Sequence, residues 1–142
     1  MQDSQTVVVI NPAPYFPWVK KYTDDAWLLT PNRREACMLF SCGEEELLSV
    51  LTKSAYPRVV VTMGGDGAVC LENGKVTVIP AIPSTVVDTT GAGDCFNGVL
   101  CAMLMEKYSL EEAVKQAVSA ASLSVQFAHV LDGMPYRKDL LI

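Results

Sequence analysis

Asp94 and the three small residues before it are where this chain is best equipped for chemistry. Gly91-Ala92-Gly93 is a bare-backbone turn, and an apolar, helix-forming run begins directly after it. The first amides of a helix have no partners inside the helix, so such a turn can aim several N–H groups at one anion. Glycine lets a phosphate come close to the backbone. Asp94 stands beside the place where negative charge would gather. An anion hole next to a carboxylate base is what transfer of a phosphoryl group to an alcohol requires. Glycine-rich turns ahead of helices are common, however. An aspartate in a first helical turn more often serves as a cap or a dipole partner. Spacing alone leaves both readings open.

The elements that must position this turn can be read from patterning. Thr6 to Ile10 is a continuous β-branched run, suited to a strand buried on both faces, and it ends at Asn11-Pro12-Ala13-Pro14. Ala26 to Thr30 is a second apolar run, stopped by Pro31-Asn32. Helices are expected at Arg33 to Phe40 and at Glu44 to Ala55, the latter with acidic residues in its first turn. Arg58 to Met63 reads as a third strand, turned by Gly64-Gly65-Asp66-Gly67. Ala68 to Glu72 and Lys75 to Pro80 flank Asn73-Gly74, a strong hairpin signal. Two long helices follow, at about Asp94 to Lys107 and Leu110 to Phe127, the second with an apolar stripe of Ala113, Val114, Ala117, Val118, Ala121 and Val125. The alternation predicts a three-layer α/β/α sheet, mostly parallel, with a hairpin near one edge. Ligands in such sheets bind beyond the carboxyl ends of strands, where Asn11, Asn32 and the Gly64–Gly67 turn fall.

Composition narrows the class. Half of the 142 residues are hydrophobic, so one domain with a real core is expected. A net charge of -5 argues against a nucleic-acid footprint. Nucleotide binding, which uses local amides and magnesium, is not affected. The five cysteines, Cys37, Cys42, Cys70, Cys95 and Cys101, form no Cys-x-x-Cys pair, and His129 is the only histidine. That pattern points away from a zinc site or a disulfide framework and toward a reducing cytoplasm. Met1-Gln2-Asp3-Ser4-Gln5 has no signal-peptide pattern, and no apolar run is long enough to span a membrane.

Residue identities then add what spacing cannot. Asp88-Thr89-Thr90-Gly91-Ala92-Gly93-Asp94-Cys95-Phe96 resembles the C-terminal signature of the ribokinase (PfkB-type) carbohydrate kinases. Asn11-Pro12-Ala13-Pro14, Pro31-Asn32-Arg33-Arg34-Glu35-Ala36 and Thr62-Met63-Gly64-Gly65-Asp66-Gly67-Ala68 are similar to further motifs of that family, in the family's order. Ser124-Val125-Gln126 and Pro135-Tyr136-Arg137-Lys138-Asp139-Leu140 resemble ribokinase itself.

The resemblance implies an ATP-dependent sugar kinase, with ribose as the favoured acceptor. It implies Asp94 as general base and the amides of Gly91, Ala92 and Gly93 as anion hole. It assigns Asn32 and Glu35 to the phosphates and to Mg2+, directly or through water. Thr62, Gly64 and Gly67 fall in the nucleotide loop, and Asp88 at a monovalent-cation site. Each has a plainer alternative: a solvated helix face for Glu35, a strand-ending turn for Thr62–Gly67, a turn or capping aspartate for Asp88. Val118 stands where relatives often place His or Asn against adenine. Arg33-Arg34 replaces what is often an acidic position, and the pair either favours phosphate or is simply solvated. His129-Val130-Leu131-Asp132-Gly133 replaces the usual Gly-Thr-Gln-Ser-Ser, which puts K+ in question; His129 is read as a loop residue.

The resemblance covers only the C-terminal half of a ribokinase, residues 1–142 here corresponding to its nucleotide-binding and catalytic portion. The expected partners are ATP or ADP and a sugar if the other half is supplied. The expectation for Val7 to Ile10 is an exposed apolar edge that pairs with a second copy or a partner segment. Two further functions stay open: a module that holds nucleotide without transferring phosphate, and an inactive product with an interaction role.

Overall fold

A computed structural model describes residues 6–140. Met1–Gln5, read above as lacking a signal-peptide pattern, lie outside the described residues. The chain divides into two compact units, Met1–Val61 with Leu71–Val76, and Thr62–Cys70 with Thr77–Ile142. Five strands hydrogen-bond in the order β1-β2-β3-β4-β5, where β1 is Val9–Ile10, β2 Leu28–Leu29, β3 Arg58–Thr62, β4 Ala68–Glu72 and β5 Lys75–Ile79. β1, β2 and β3 are parallel, with Val9 opposite Leu28, Ile10 opposite Leu29, and Leu29 opposite Val59.

In the first unit the expected strands are present but shorter. β1 covers two residues rather than the five of Thr6–Ile10. Its pairing begins where the Val8 carbonyl accepts from Trp27 N–H at 2.8 Å, and ends where the Ile10 carbonyl accepts from Thr30 N–H at 2.9 Å. Burial on both faces does not hold there: Val7 and Val8 are 51% and 42% exposed. Helix α1 (Lys20–Thr23) follows a 3-10 turn at Pro17–Val19; neither was expected. α2 runs Arg33–Phe40, as patterning predicts. The expected helix Glu44 to Ala55 is instead a 3-10 turn, Glu44–Glu46, followed by α3, Leu47–Thr52. Gly43 N–H donates to the Glu46 carboxylate at 3.1 Å, which fixes that tighter first turn. Leu28, Leu29, Leu39, Leu47, Leu51 and Val59 to Val61 are sealed from solvent. Each such side chain contributes on the order of 1.5–3 kcal/mol from apolar burial.

In the second unit, helices α4 (Ala92–Met105) and α5 (Leu110–Ser124) pack on each other. Phe96, Leu100 and Met103 of α4 and Ala113, Val114, Ala117 and Val118 of α5 form the buried stripe. α5 starts with a capping box: Glu112 N–H donates to Ser109 Oγ and Ser109 N–H to the Glu112 carboxylate. It ends near Ser124 rather than Phe127, and a short α6 (Val130–Gly133) follows, unforeseen in the sequence. The hairpin turn between β4 and β5 is as expected, with Asn73 at φ 50° and Gly74 at φ 82°. Positive φ at both positions is the two-residue turn that matches strand twist.

Candidate functional site

The second unit encloses a cavity of about 590 Å³. That volume lies in the range of small-molecule sites, about 300–1,000 Å³. One wall is the turn after β3, with Thr62, Gly64, Gly65 and Gly67. Gly67 N–H donates to the Gly64 carbonyl at 3.0 Å, and Met63 N–H to the Gly67 carbonyl at 2.8 Å. Gly67 sits at φ 94°, and a Cβ there would stand 2.1 Å from the Ile79 carbonyl oxygen. Only glycine closes this turn. A second wall is Val118, Ala121, Ser122 and Val125 of α5 and its end. A third is the irregular segment Ala81–Val86. Ser122 Oγ accepts from Ile82 N–H at 3.3 Å, and the Val125 carbonyl accepts from Val87 N–H at 2.7 Å, so α5 holds that segment in place.

The start of α4 completes the cavity with Thr89, Ala92, Gly93 and Phe96. Gly91 occupies the N-cap at φ 78°, and no side chain caps the helix. A Cβ on Gly91 would stand 2.6 Å from Val130 Cγ1. Among the described residues, no acceptor faces the N–H of Gly91, Gly93 or Asp94. Ala92 N–H differs, donating to the Thr89 carbonyl at 3.2 Å. Space over Gly93 is open, since a Cβ there would meet nothing within 4 Å. Asp94 is exposed in the first turn. Beside it, Asn97 Nδ2 donates to the Gly93 carbonyl at 3.1 Å, while its buried Oδ1 finds no partner among the described residues. Asp88 accepts from Thr90 N–H at 2.9 Å. That backbone bond, together with the Thr90 hydroxyl and a smaller pull from His129, holds its carboxyl below the usual range.

In the first unit, Asn32 and Glu35 are brought together by the start of α2. Glu35 N–H donates to Asn32 Oδ1 at 2.9 Å, and Asn32 N–H to Glu35 Oε2 at 2.8 Å. This is a complete capping box. Glu35 is only 7% exposed, so the solvated-face reading of it is overturned: the box pulls its carboxylate inward. Arg33 pairs with Glu44 at 3.5 Å, and Arg34 is exposed.

Residues 1–135 match the profile of the pfkB family carbohydrate kinases. The chain belongs to that family. It is 38% identical to a ribokinase of Bacillus subtilis over 134 residues, 94% of this chain and 44% of that protein. The fold is similar to an Arabidopsis thaliana ribokinase complexed with ribose and ATP, with TM-score 0.85, 30% identity, and coverage of 94% of this chain and 46% of the other. A Cryptococcus neoformans ribokinase in complex with ADP gives TM-score 0.78 and 29% identity, covering 93% of this chain and 49% of the other. The chain therefore has part of the ribokinase α/β fold, and it spans about half the length of the relatives it matches.

Among the described residues, no group of three or more His, Cys, Asp or Glu side chains is arranged to hold a metal. Magnesium needs little from protein, since it keeps waters and takes phosphate oxygens. Glu35 offers one hard carboxylate beside the Asn32 amide, which suits that role. A monovalent cation fits less well. The Asp88 carboxylate accepts Thr90 N–H through one oxygen, as Glu35 accepts Asn32 N–H, so the difference lies in the rest of the site. The segment expected to complete that ring is helical, with the His129 carbonyl taken by Gly133 N–H at 3.1 Å.

The sequence reading missed Ile82, Pro83, Ser84 and Val86 as pocket lining in this pfkB protein. A signal was present: Pro80 and Pro83, with Ser84-Thr85, break up the apolar residues Ala81, Ile82, Val86 and Val87 too much for a strand. No helix among the described residues is long and apolar enough to cross a membrane.

Proposed function

We propose that residues 1–142 are the nucleotide-binding and phosphoryl-transfer portion of an ATP-dependent sugar kinase, with ribose as the favoured acceptor and the cytoplasm as its setting. One observation carries this reading. Ala92 and Gly93, at the uncapped start of α4, line the same cavity as Thr62, Gly64, Gly67 and Val118. A single cavity thus joins amides suited to phosphate with apolar walls suited to a nucleoside.

These positions support the following reaction. Asp94 accepts the proton of the sugar hydroxyl as that oxygen bonds to the γ-phosphorus. The bond from the γ-phosphorus to the β–γ bridging oxygen breaks, and ADP leaves. The amides of Gly91, Ala92 and Gly93 face the charge on the transferring group. Gly91 and Gly93 are free to do so, whereas Ala92 must first leave the Thr89 carbonyl. Thr62, Gly64 and Gly67 bound the nucleotide, and Val118 gives its base an apolar face without a hydrogen bond. Glu35 and Asn32 would hold magnesium directly or through water, and the ion would supply neutralisation of phosphate charge.

The same fit to half of each relative favours a second reading, nucleotide binding without transfer. Calorimetry with ATP, run beside an ADP-release assay with ribose, separates them. Binding with ribose-dependent release supports transfer by this chain; binding alone supports the second reading; no binding removes both.

The β1 edge supports a partner proposal. β1 stands at the end of the strand order, with Val7 and Val8 exposed just before it. Unpaired strand edges of this kind recruit another chain. The chain is expected to self-associate or to take a partner strand there. Light scattering that finds a clean monomer at high concentration contradicts this.

A further inference from the structure

Helix α2 ends in a closed loop that no part of the kinase reading uses. Ser41 follows Phe40 in the left-handed region, at φ 53°. Cys42 N–H donates to the Cys37 carbonyl at 3.0 Å, and Ser41 N–H to the Met38 carbonyl at 3.4 Å. These two bonds, six-to-one and five-to-two, define a Schellman ending. Its geometry brings the side chains of the outer two positions together, where an apolar pair usually sits. Here both positions are cysteine. Cys37 is among the causes, after burial, that raise the Cys42 thiol, so the two side chains are neighbours. Both are free, and both are partly open to solvent. A backbone loop closed this tightly draws the two Cα atoms toward the separation a disulfide needs, about 5.5–6 Å.

We propose that Cys37 and Cys42 form a modification site, a dithiol that small-molecule disulfides oxidise reversibly to an intramolecular disulfide. One thiol, as thiolate, attacks a sulfur of the small disulfide; the S–S bond breaks and one small thiol leaves with a proton. The second protein thiol then attacks the mixed disulfide and releases the other small thiol. The pair loses two protons and two electrons, and the small disulfide gains both as it becomes two thiols. Burial is the chief cause that holds the Cys42 thiol protonated, followed by Cys37 itself and then Glu46. The resting Cys42 is thus a neutral thiol rather than an activated nucleophile. Intracellular disulfides of this transient kind serve redox sensing. Among the other cysteines Cys70 and Cys95 are buried, and Cys101, though partly open like the pair, has no cysteine at the facing position of a Schellman ending.

The test is glutathione disulfide titration of the reduced chain, followed by alkylation, intact mass and peptide mapping. The expected product has lost two hydrogens, carries no glutathione, and maps its crosslink to Cys37 and Cys42. Dithiothreitol restores both alkylation sites. In Cys42→Ser the crosslink is absent and glutathione stays on Cys37; Cys37→Ser leaves it on Cys42. If both cysteines stay separately alkylated in the native chain, or each retains glutathione without a crosslink, the proposal is overturned. A crosslink that maps to Cys70, Cys95 or Cys101 overturns it equally.

Discussion

At the start of α2, Asn32 and Glu35 exchange two hydrogen bonds, at 2.9 and 2.8 Å. At the start of α4, Gly91 offers no side chain at all, and the amides of Gly91, Gly93 and Asp94 meet no acceptor among the described residues. α5 follows the first pattern, with Ser109 and Glu112. Side-chain capping contributes about 1 kcal/mol per helix. α4 does without it, because its stability comes from the apolar face packed on α5 through Phe96, Leu100 and Met103. A helix held by packing can leave its first turn polar, open and unsatisfied. That is the physical difference between a helix start that serves the fold and one suited to an anion.

The largest effect expected of this contrast is at Asp94. Asp94→Asn should lower ribose-dependent ADP release, in whatever form of the protein shows it, by about 10²–10⁴-fold. Nucleotide affinity and thermal midpoint should stay near wild type, because Asp94 is exposed. A loss of stability instead would make it a structural cap. Next is Gly67→Ala, which puts a Cβ against the Ile79 carbonyl at a positive φ. The left-handed strain alone costs about 1–2 kcal/mol, and the backbone clash adds to it. Denaturant unfolding should show a loss above about 2 kcal/mol, with weaker nucleotide binding.

Smaller effects sharpen the comparison between capped and uncapped starts. Asn32→Ala and Ser109→Ala should each lose about 1 kcal/mol in urea unfolding. Only Asn32→Ala should also weaken binding of magnesium with ATP, if α2 contributes to the nucleotide site. Equal ATP affinity in both variants would leave Asn32 a cap and nothing more. The smallest effect is at Asp88, whose carboxyl is held low by Thr90. A depressed carboxylate adds stability above its unfolded pKa, about 3.9, and loses it as the pH falls through the lower folded value. Asp88→Asn should therefore slightly flatten the acid limb of the stability profile below about pH 4. An unchanged limb would mean that Thr90 N–H is satisfied equally well without the charge.

Much of this was legible in residues whose backbone demands are unusual. Asn73-Gly74 fixed a hairpin because both positions take positive φ. Gly91 and Gly67 pointed to tight turns, and both hold φ that other residues resist. What stayed hidden depended on pairings remote in sequence or on choices between similar helices. The Asn32-x-x-Glu35 spacing reads as a ligand pair or, at Glu35, a solvated face, whereas the fold makes it a capping box. The acidic run Glu44–Glu46 reads as an ordinary helical first turn, and only the Gly43–Glu46 bond selects the 3-10 form. Val130 in α6 packs near Gly91 across many residues, which no local pattern predicts. The Ala81–Val86 wall of the cavity is held by Ser122, forty residues from Ile82, and is equally invisible to periodicity.

The most direct test of the α4 start is amide NMR with a non-hydrolysable ATP analogue and magnesium. The resonances of Gly91, Gly93 and Asp94 should shift in proportion to saturation, while that of Glu112, already donating to Ser109, stays in place. Shifts confined to the α5 side of the cavity, with Gly91 and Gly93 unmoved at saturation, would contradict an anion site at the start of α4.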